Sequence, residues 1–120
     1  MPKRTEEEWE RHRFPRESQL QTYITKRINE YRAKYSTIIK MMKIADRHNS
    51  GISDFLLCIG GTFVAVELKI GANKPTALQK QFIKEINEAG GITGVAWNWG
   101  DFKKIVNPVL KLHKAPLLDG

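Results

Sequence analysis

Ile52-Ser53-Asp54-Phe55-Leu56-Leu57-Cys58-Ile59-Gly60-Gly61-Thr62-Phe63-Val64-Ala65-Val66-Glu67-Leu68-Lys69-Ile70 holds two β-type runs joined by a pair of glycines. A Gly-Gly connection suits a two-residue type I′ hairpin, because both central residues of that turn need positive φ. With Gly60 and Gly61 as the loop, Ile59 opposes Thr62, and counting outward places Asp54 opposite Glu67. Opposed residues share a face of the sheet, with Cβ atoms about 4.5–5.5 Å apart. Two carboxylates that close, in strands otherwise made of Leu, Val, Ile and Phe, repel each other unless a cation lies between them. A divalent metal meets that need. Lys69 lies two residues beyond Glu67 and so belongs to the same face. The plainer alternative is a solvated strand on which Glu67 and Lys69 form a weak surface ion pair. Against it, Val64, Val66, Leu68 and Ile70 make one face apolar, and Phe63 and Ala65 do the same for the other, a pattern that predicts burial on both sides.

Outward from the hairpin, residues 46–51 read as a polar loop and residues 37–44 as a strand before it. Leu20, Tyr23, Ile24, Ile28 and Tyr31 recur at helical spacing, so residues 17–31 form an amphipathic helix with one face on the core. Residues 1–15 are highly charged, stop at Pro15 and read as an arm or a short helix. On the other side, residues 71–75 break the pattern. A helix follows over residues 76–89 with Leu78, Phe82, Ile83, Ile86 and Ala89 inward, ended by Gly90 as a left-handed residue. Residues 92–99 form a further strand, Asp101 caps a short last helix through Val106, and Pro108 limits that helix. The order αβββαβα describes one α/β domain over residues 16–120, a mixed sheet flanked by helices, behind the arm.

The 120 residues carry 20 Lys and Arg against 13 Asp and Glu, a net charge of +7. A pI near 9.7 favours an anionic partner such as nucleic acid, with solubility as the bland alternative. One cysteine, Cys58, excludes an internal disulfide and reads as a buried thiol acting as a small hydrophobe, which fits a reducing, intracellular setting. No stretch is long and apolar enough to cross a membrane, and the charged N-terminus lacks the apolar segment of a signal peptide. His12, His48 and His113 have neither metal-ligand spacing nor a nucleophile pattern around them and read as surface histidines, His48 being also placed to touch phosphate.

Gly51-Ile52-Ser53-Asp54, then Glu67-Leu68-Lys69, then Thr76-Ala77-Leu78-Gln79 resemble the PD-(D/E)xK nuclease superfamily, and within it the VRR-NUC group of small stand-alone nucleases. Glu17-Ser18-Gln19-Leu20-Gln21 is similar to that group's first-helix pattern of Glu followed four residues later by Gln, and Ala89-Gly90-Gly91 before the last strand fits as well. The likeness spans roughly residues 16–106. It departs at Ser53, where the group usually has proline, and near Trp97-Asn98, where it tends to carry a basic residue. The resemblance implies a restriction-endonuclease-like core and a metal-dependent endonuclease that hydrolyses phosphodiester bonds in DNA. Mg²⁺ or Mn²⁺ is expected on Asp54, Glu67 and the backbone carbonyl of Leu68, with Lys69 orienting the attacking water or stabilising the transition state. Glu17 would hold a second metal or an outer water, or simply gain from the helix macrodipole. Gln79 either supports the site or belongs to a capping box with Thr76.

Lys40, Lys43, Arg47, His48, Lys74, Lys80 and Lys84 are candidates for gripping the DNA backbone. Trp97 and Trp99, two apart on a strand, would share a face and stack on bases, or form core or dimer surface. Stand-alone members of the group resemble Holliday-junction resolvases and act as homodimers. By that analogy the substrate is a four-way junction and the protein a homodimer, joined through Trp97, Trp99, Tyr23 and Tyr31. The alternatives are a flap or nicking nuclease, a non-catalytic DNA-binding protein on a nuclease-like fold, and an RNA-binding protein.

Overall fold

The structure, a computed structural model, describes residues 14–35, 38–44 and 51–120. The N-terminal arm up to residue 13 with His12, the expected strand start at Thr37, and Arg47 and His48 lie outside the described residues. The elements are α1 (Glu17–Tyr35), β1 (Ile39–Lys43), β2 (Phe55–Ile59), β3 (Thr62–Leu68), α2 (Ala77–Glu88), β4 (Ile92–Ala96) and α3 (Trp99–Leu112). This is the order αβββαβα, and the strands lie in the sheet as β1-β2-β3-β4. The first two pairings are antiparallel and β3–β4 is parallel, so the sheet is mixed. A parallel pair needs a crossover, which α2 supplies.

The hairpin has the expected register: Ile59 pairs Thr62, and Phe55 pairs Val66. Gly60 and Gly61 have φ of 55° and 90°, the left-handed values that a two-residue turn demands. One more step along this register sets Asp54, which precedes β2, opposite Glu67. Alternation then sorts the sheet. Phe55, Leu57, Ile59, Val64, Val66 and Leu68 turn to one face and bury against Leu20, Ile24 and Ile28 of α1 and Phe102, Val106 and Leu110 of α3. Each such side chain contributes about 1.5–3 kcal/mol by leaving water. The opposite face carries Ala65, Glu67 and Thr93 beneath α2, whose Asn87 accepts a hydrogen bond from Thr93 at 2.8 Å.

Several expectations need correction. Cys58 is exposed, because α2 leaves the β1–β2 half of its face open, where Met42 and Phe63 are exposed too. Leu78 and Ala89 face solvent, and α2 buries only part of Phe82, Ile83 and Ile86. The last strand ends at Ala96. The α3 cap is Asn98, whose side chain accepts from the Asp101 backbone N–H at 2.7 Å, while the Asp101 carboxylate accepts from the Trp97 backbone N–H at 3.0 Å. α3 passes through Pro108 to Leu112. A proline there removes one helical hydrogen bond, which the burial of Val106, Val109 and Leu110 on the inward face outweighs.

Trp97 and Trp99 therefore do not share a strand face. Trp99 is core, stacked on Phe102 with ring centroids 5.5 Å apart, and the Trp97 indole N–H donates to the Asn73 carbonyl at 2.9 Å. Tyr31 is buried as well, while Tyr23 and Trp97, the other two aromatics expected at a dimer surface, are half-buried. Phe14, at the end of the expected arm, packs on Tyr23. His113, read as a surface residue, is half-buried against the hairpin turn with its Nε2 2.9 Å from Thr62 Oγ1.

A Cβ added at Gly60 would lie 2.6 Å from the His113 ring, whereas one at Gly61 meets nothing within 4 Å. Gly61→Ala is expected to cost only left-handed strain, about 1 kcal/mol, and Gly60→Ala about 2–3 kcal/mol through strain plus displacement of His113. Urea denaturation of the two variants measures the difference, and equal losses would show that His113 does not brace the turn.

Candidate metal centre

Each acidic side chain of the site is set by a different element. Glu17 is the first residue of α1, Asp54 ends the loop before β2, and Glu67 stands at the end of β3. One carboxylate oxygen from each lies within 4.8 Å of one from each of the others. Asp54 is anchored at both oxygens: Oδ2 accepts from the Leu68 backbone N–H at 2.7 Å, and Oδ1 from the Gln21 side-chain amide at 3.1 Å. The first of these bonds reaches across from β3, as the register requires.

Glu67 is 1% exposed. Its Oε1 accepts from the Gln79 side-chain N–H at 2.9 Å and lies 3.7 Å from Lys69 Nζ. Both side chains of the Lys69–Glu67 pair are buried, so it is not the solvated strand pair of the plainer reading. Oε2 is buried and accepts no hydrogen bond from an N–H or O–H group of the described residues, and the further neighbour of the Glu67 side chain is the Asp54 carboxylate, with which it can share only a proton. Leaving a carboxyl oxygen in that state is unfavourable by a few kcal/mol, which makes it the feature of the site most in need of a counter-ligand.

The protonation state follows from this enclosure. Burial, and then the neighbouring Asp54, push the Glu67 carboxyl up to about 9, with Lys69 opposing. Glu17 is raised for the same reasons in the same order. The cluster thus relieves part of its own repulsion by keeping a proton on Glu67, and a cation seated among the carboxylates would displace it.

Gln79 closes the helix cap and also reaches the Glu67 carboxyl. Thr76 Oγ1 accepts from the Gln79 backbone N–H at 3.2 Å, and Gln79 Oε1 accepts from the Thr76 N–H at 2.8 Å, a complete capping box. The amide oxygen is used by the cap, which leaves the amide nitrogen free to turn toward Glu67. Leu68, expected to contribute its carbonyl, is tied into the site through its N–H. Gln21 is the residue to which the sequence assigned no role. Its position four residues after Glu17 puts both on one side of α1, and that spacing was the available signal.

The expected grip lysines do not form one cluster. Lys40 and Lys43 are exposed on the edge strand β1, Lys74 on the loop after β3, and Lys80 and Lys84 on α2, where Lys84 is 3.9 Å from Glu88. Among the described residues no helix is long and apolar enough to cross a membrane. Comparison with protein-family models, curated proteins and solved structures gives no match for this chain.

Folded, Glu67 keeps its proton up to about pH 9; in the unfolded chain it loses it near 4.5. Between those values the unfolded state binds fewer protons, so metal-free stability falls as pH rises through the window. Glu67→Gln, which keeps the shape and removes the ionisation, is expected in EDTA to raise Tm by roughly 5 °C or more at pH 8 and by much less near pH 4.5. Thermal melts across this range test it. A variant no more stable than the parent at pH 8 would show that Glu67 ionises without penalty.

Proposed function

We propose that the protein is a metal-dependent endodeoxyribonuclease that hydrolyses phosphodiester bonds. The observation that carries this reading is the buried, unpartnered Glu67 Oε2 facing a cluster completed by Asp54 and Glu17, with the Lys69 ammonium beside it. Three carboxylates are an all-oxygen donor set, which suits a hard divalent cation such as Mg²⁺ or Mn²⁺. Asp54 and Glu67 would hold it, the Leu68 carbonyl is the further ligand suggested by sequence resemblance, and Glu17 would serve as an outer or second-ion ligand. When bound, the cation supplies charge neutralisation at the scissile phosphate and acidifies an attacking water.

The remaining work belongs to the chain. Gln21 and the Leu68 N–H fix the direction of Asp54, and Gln79 fixes Glu67, so the carboxylates need little rearrangement on loading. To serve as a ligand Glu67 would have to release the proton that its enclosure favours. Lys69 offers a positive charge to the oxygens on which charge develops as the bond to phosphorus forms.

Resemblance to the PD-(D/E)xK nucleases, and to their VRR-NUC group, supports a restriction-endonuclease-like core and branched DNA as the narrower substrate. Paired cuts at a four-way junction would then require a homodimer.

Four-way junction, flap, duplex and single-stranded DNA, each with EDTA, Mg²⁺ or Mn²⁺, form the test. Cleavage is expected only with metal. Asp54→Ala and Glu67→Ala should each lower it by a hundredfold or more and remove the Mn²⁺ heat in calorimetry. Lys69→Ala should depress turnover to a similar degree while DNA affinity changes by less than about threefold, since its role lies in the transition state. Undiminished cleavage in both carboxylate variants would overturn the reading. Symmetric nicks from a dimer, judged by light scattering, would favour the junction over a flap or simple duplex.

A further inference from the structure

The outward side of α3 carries a second helical stripe beside its buried one. Gly100, Lys103, Lys104, Asn107, Pro108 and Lys111 repeat at spacings of three and four, and with Leu117 they line a groove of about 660 Å³. Its lining includes three ammonium groups and no carboxylate. The one acid on α3, Asp101, is engaged by the Trp97 backbone N–H. Among the other described cations, Lys69 pairs with Glu67, Lys84 with Glu88, and Arg27 with Glu30 and Asp119, whereas the exposed Lys40, Lys43, Lys74 and Lys80 are spread over β1, the loop after β3 and α2. Lys103, Lys104 and Lys111 have no such ion pair.

The helix macrodipole accounts for Lys111 in the last turn, but not for Lys103 and Lys104 near the other end. The groove is also built rather than left over. Asn107 uses both ends of its amide on Leu118, accepting from its N–H at 2.8 Å and donating to its carbonyl at 3.2 Å. That clamp holds the chain after α3 against the helix and leaves Leu117 49% exposed as the far wall. Pro108 and Leu117 thus give an apolar floor and wall between cationic rims.

We propose that this groove binds the phosphate backbone of DNA. Lys104 and Lys111 are about 10 Å apart along the helix axis, which matches roughly three base-pair rises of about 3.4 Å. Ammonium groups at that interval meet phosphates about three steps apart along one strand while the apolar strip lies against sugar, a contact that gives affinity without reading sequence. The helix that carries the groove begins at the end of the sheet that holds Glu67. α3 follows directly on β4, and Ala96 at the end of β4 pairs Leu68 beside Glu67. A duplex arm along α3 would therefore extend from the end of the sheet that carries the carboxylates. The proposal rests on the nucleic-acid reading above and adds a contact surface that the lysines of β1 and α2 do not include.

Fluorescence anisotropy in EDTA, with a labelled 20-base-pair duplex and a salt titration, measures binding without cleavage. Lys104→Ala/Lys111→Ala removes two charges from the groove, and Lys26→Ala/Lys34→Ala removes two from α1 as a control for net charge. The groove variant is expected to bind at least tenfold more weakly at 100 mM salt and to lose about two units of the slope of log K against log salt. The control should change by less than about threefold, and Lys104→Arg/Lys111→Arg should bind like the parent. Equal losses in groove and control variants overturn the proposal and leave the nuclease reading intact. Groove-dependent binding by a protein that never cleaves upholds it and removes the nuclease reading. Binding to phosphatidylserine vesicles but not to DNA assigns the groove to a membrane surface and overturns it.

Discussion

The two-residue turn at Gly60 and Gly61 is the constraint on which the rest depends. Side chains alternate strictly along a strand, so the turn length decides which face receives Glu67. A loop one residue longer would slip the register, set Glu67 among the apolar side chains beneath α1 and α3, and separate it from Asp54. The His113 ring lies against Gly60 and bonds Thr62, so the end of α3 braces the turn. At the opposite end of the hairpin, the first turns of α1 and α2 bring Glu17, Gln21 and Gln79 to the two carboxylates. α1 therefore both closes the core and sets part of the site, and Gln79 ties the start of α2 to the same carboxylates.

Inside the site, folding and chemistry pull against each other. A carboxyl group that is 1% exposed, with one oxygen unpartnered, is a cost that most of the sheet avoids by using Val, Leu and Ala. Proteins break such local rules mainly where a function holds the exception in place. Gln79 shows how tightly the two demands are joined. One atom of its amide closes the cap of α2 and the other holds Glu67, so the start of that helix and the orientation of the carboxylate depend on a single side chain.

Much of this was legible in the sequence, for reasons that also explain where legibility stopped. The hairpin, the opposition of Asp54 and Glu67, the Thr76 cap and the element order follow from local signals: a glycine pair, strict alternation and cap residues at fixed spacing. Burial of β3 on both faces followed from its composition. The exposed Cys58, Leu78 and Ala89 did not, because what covers a face depends on where α2 lands across the sheet. α3 was read too short because Pro108 is a strong local stop, while the inward stripe from Phe102 to Leu110 is rewarded only once the sheet is beneath it. The Gln21–Asp54 bond spans a sequence separation of 33, and no local pattern assigns partners at that range.

The distribution of charge separates attraction from reaction. The chain is +7 overall, yet it gathers three carboxylates within 4.8 Å at one end of its sheet. Two unit charges about 5 Å apart interact by about 3 kcal/mol at an effective dielectric of 20. A phosphate drawn in by peripheral lysines would therefore meet, at the site itself, a repulsion large enough to keep it from settling. A proton on Glu67 relieves part of that repulsion but leaves nothing with which to polarise a phosphate oxygen. A cation relieves it and supplies the polarisation as well. On the nuclease reading, binding belongs to the exposed lysines and reaction to the clustered carboxylates around the buried Glu67, so a polyanion can be held without metal and cut only with it.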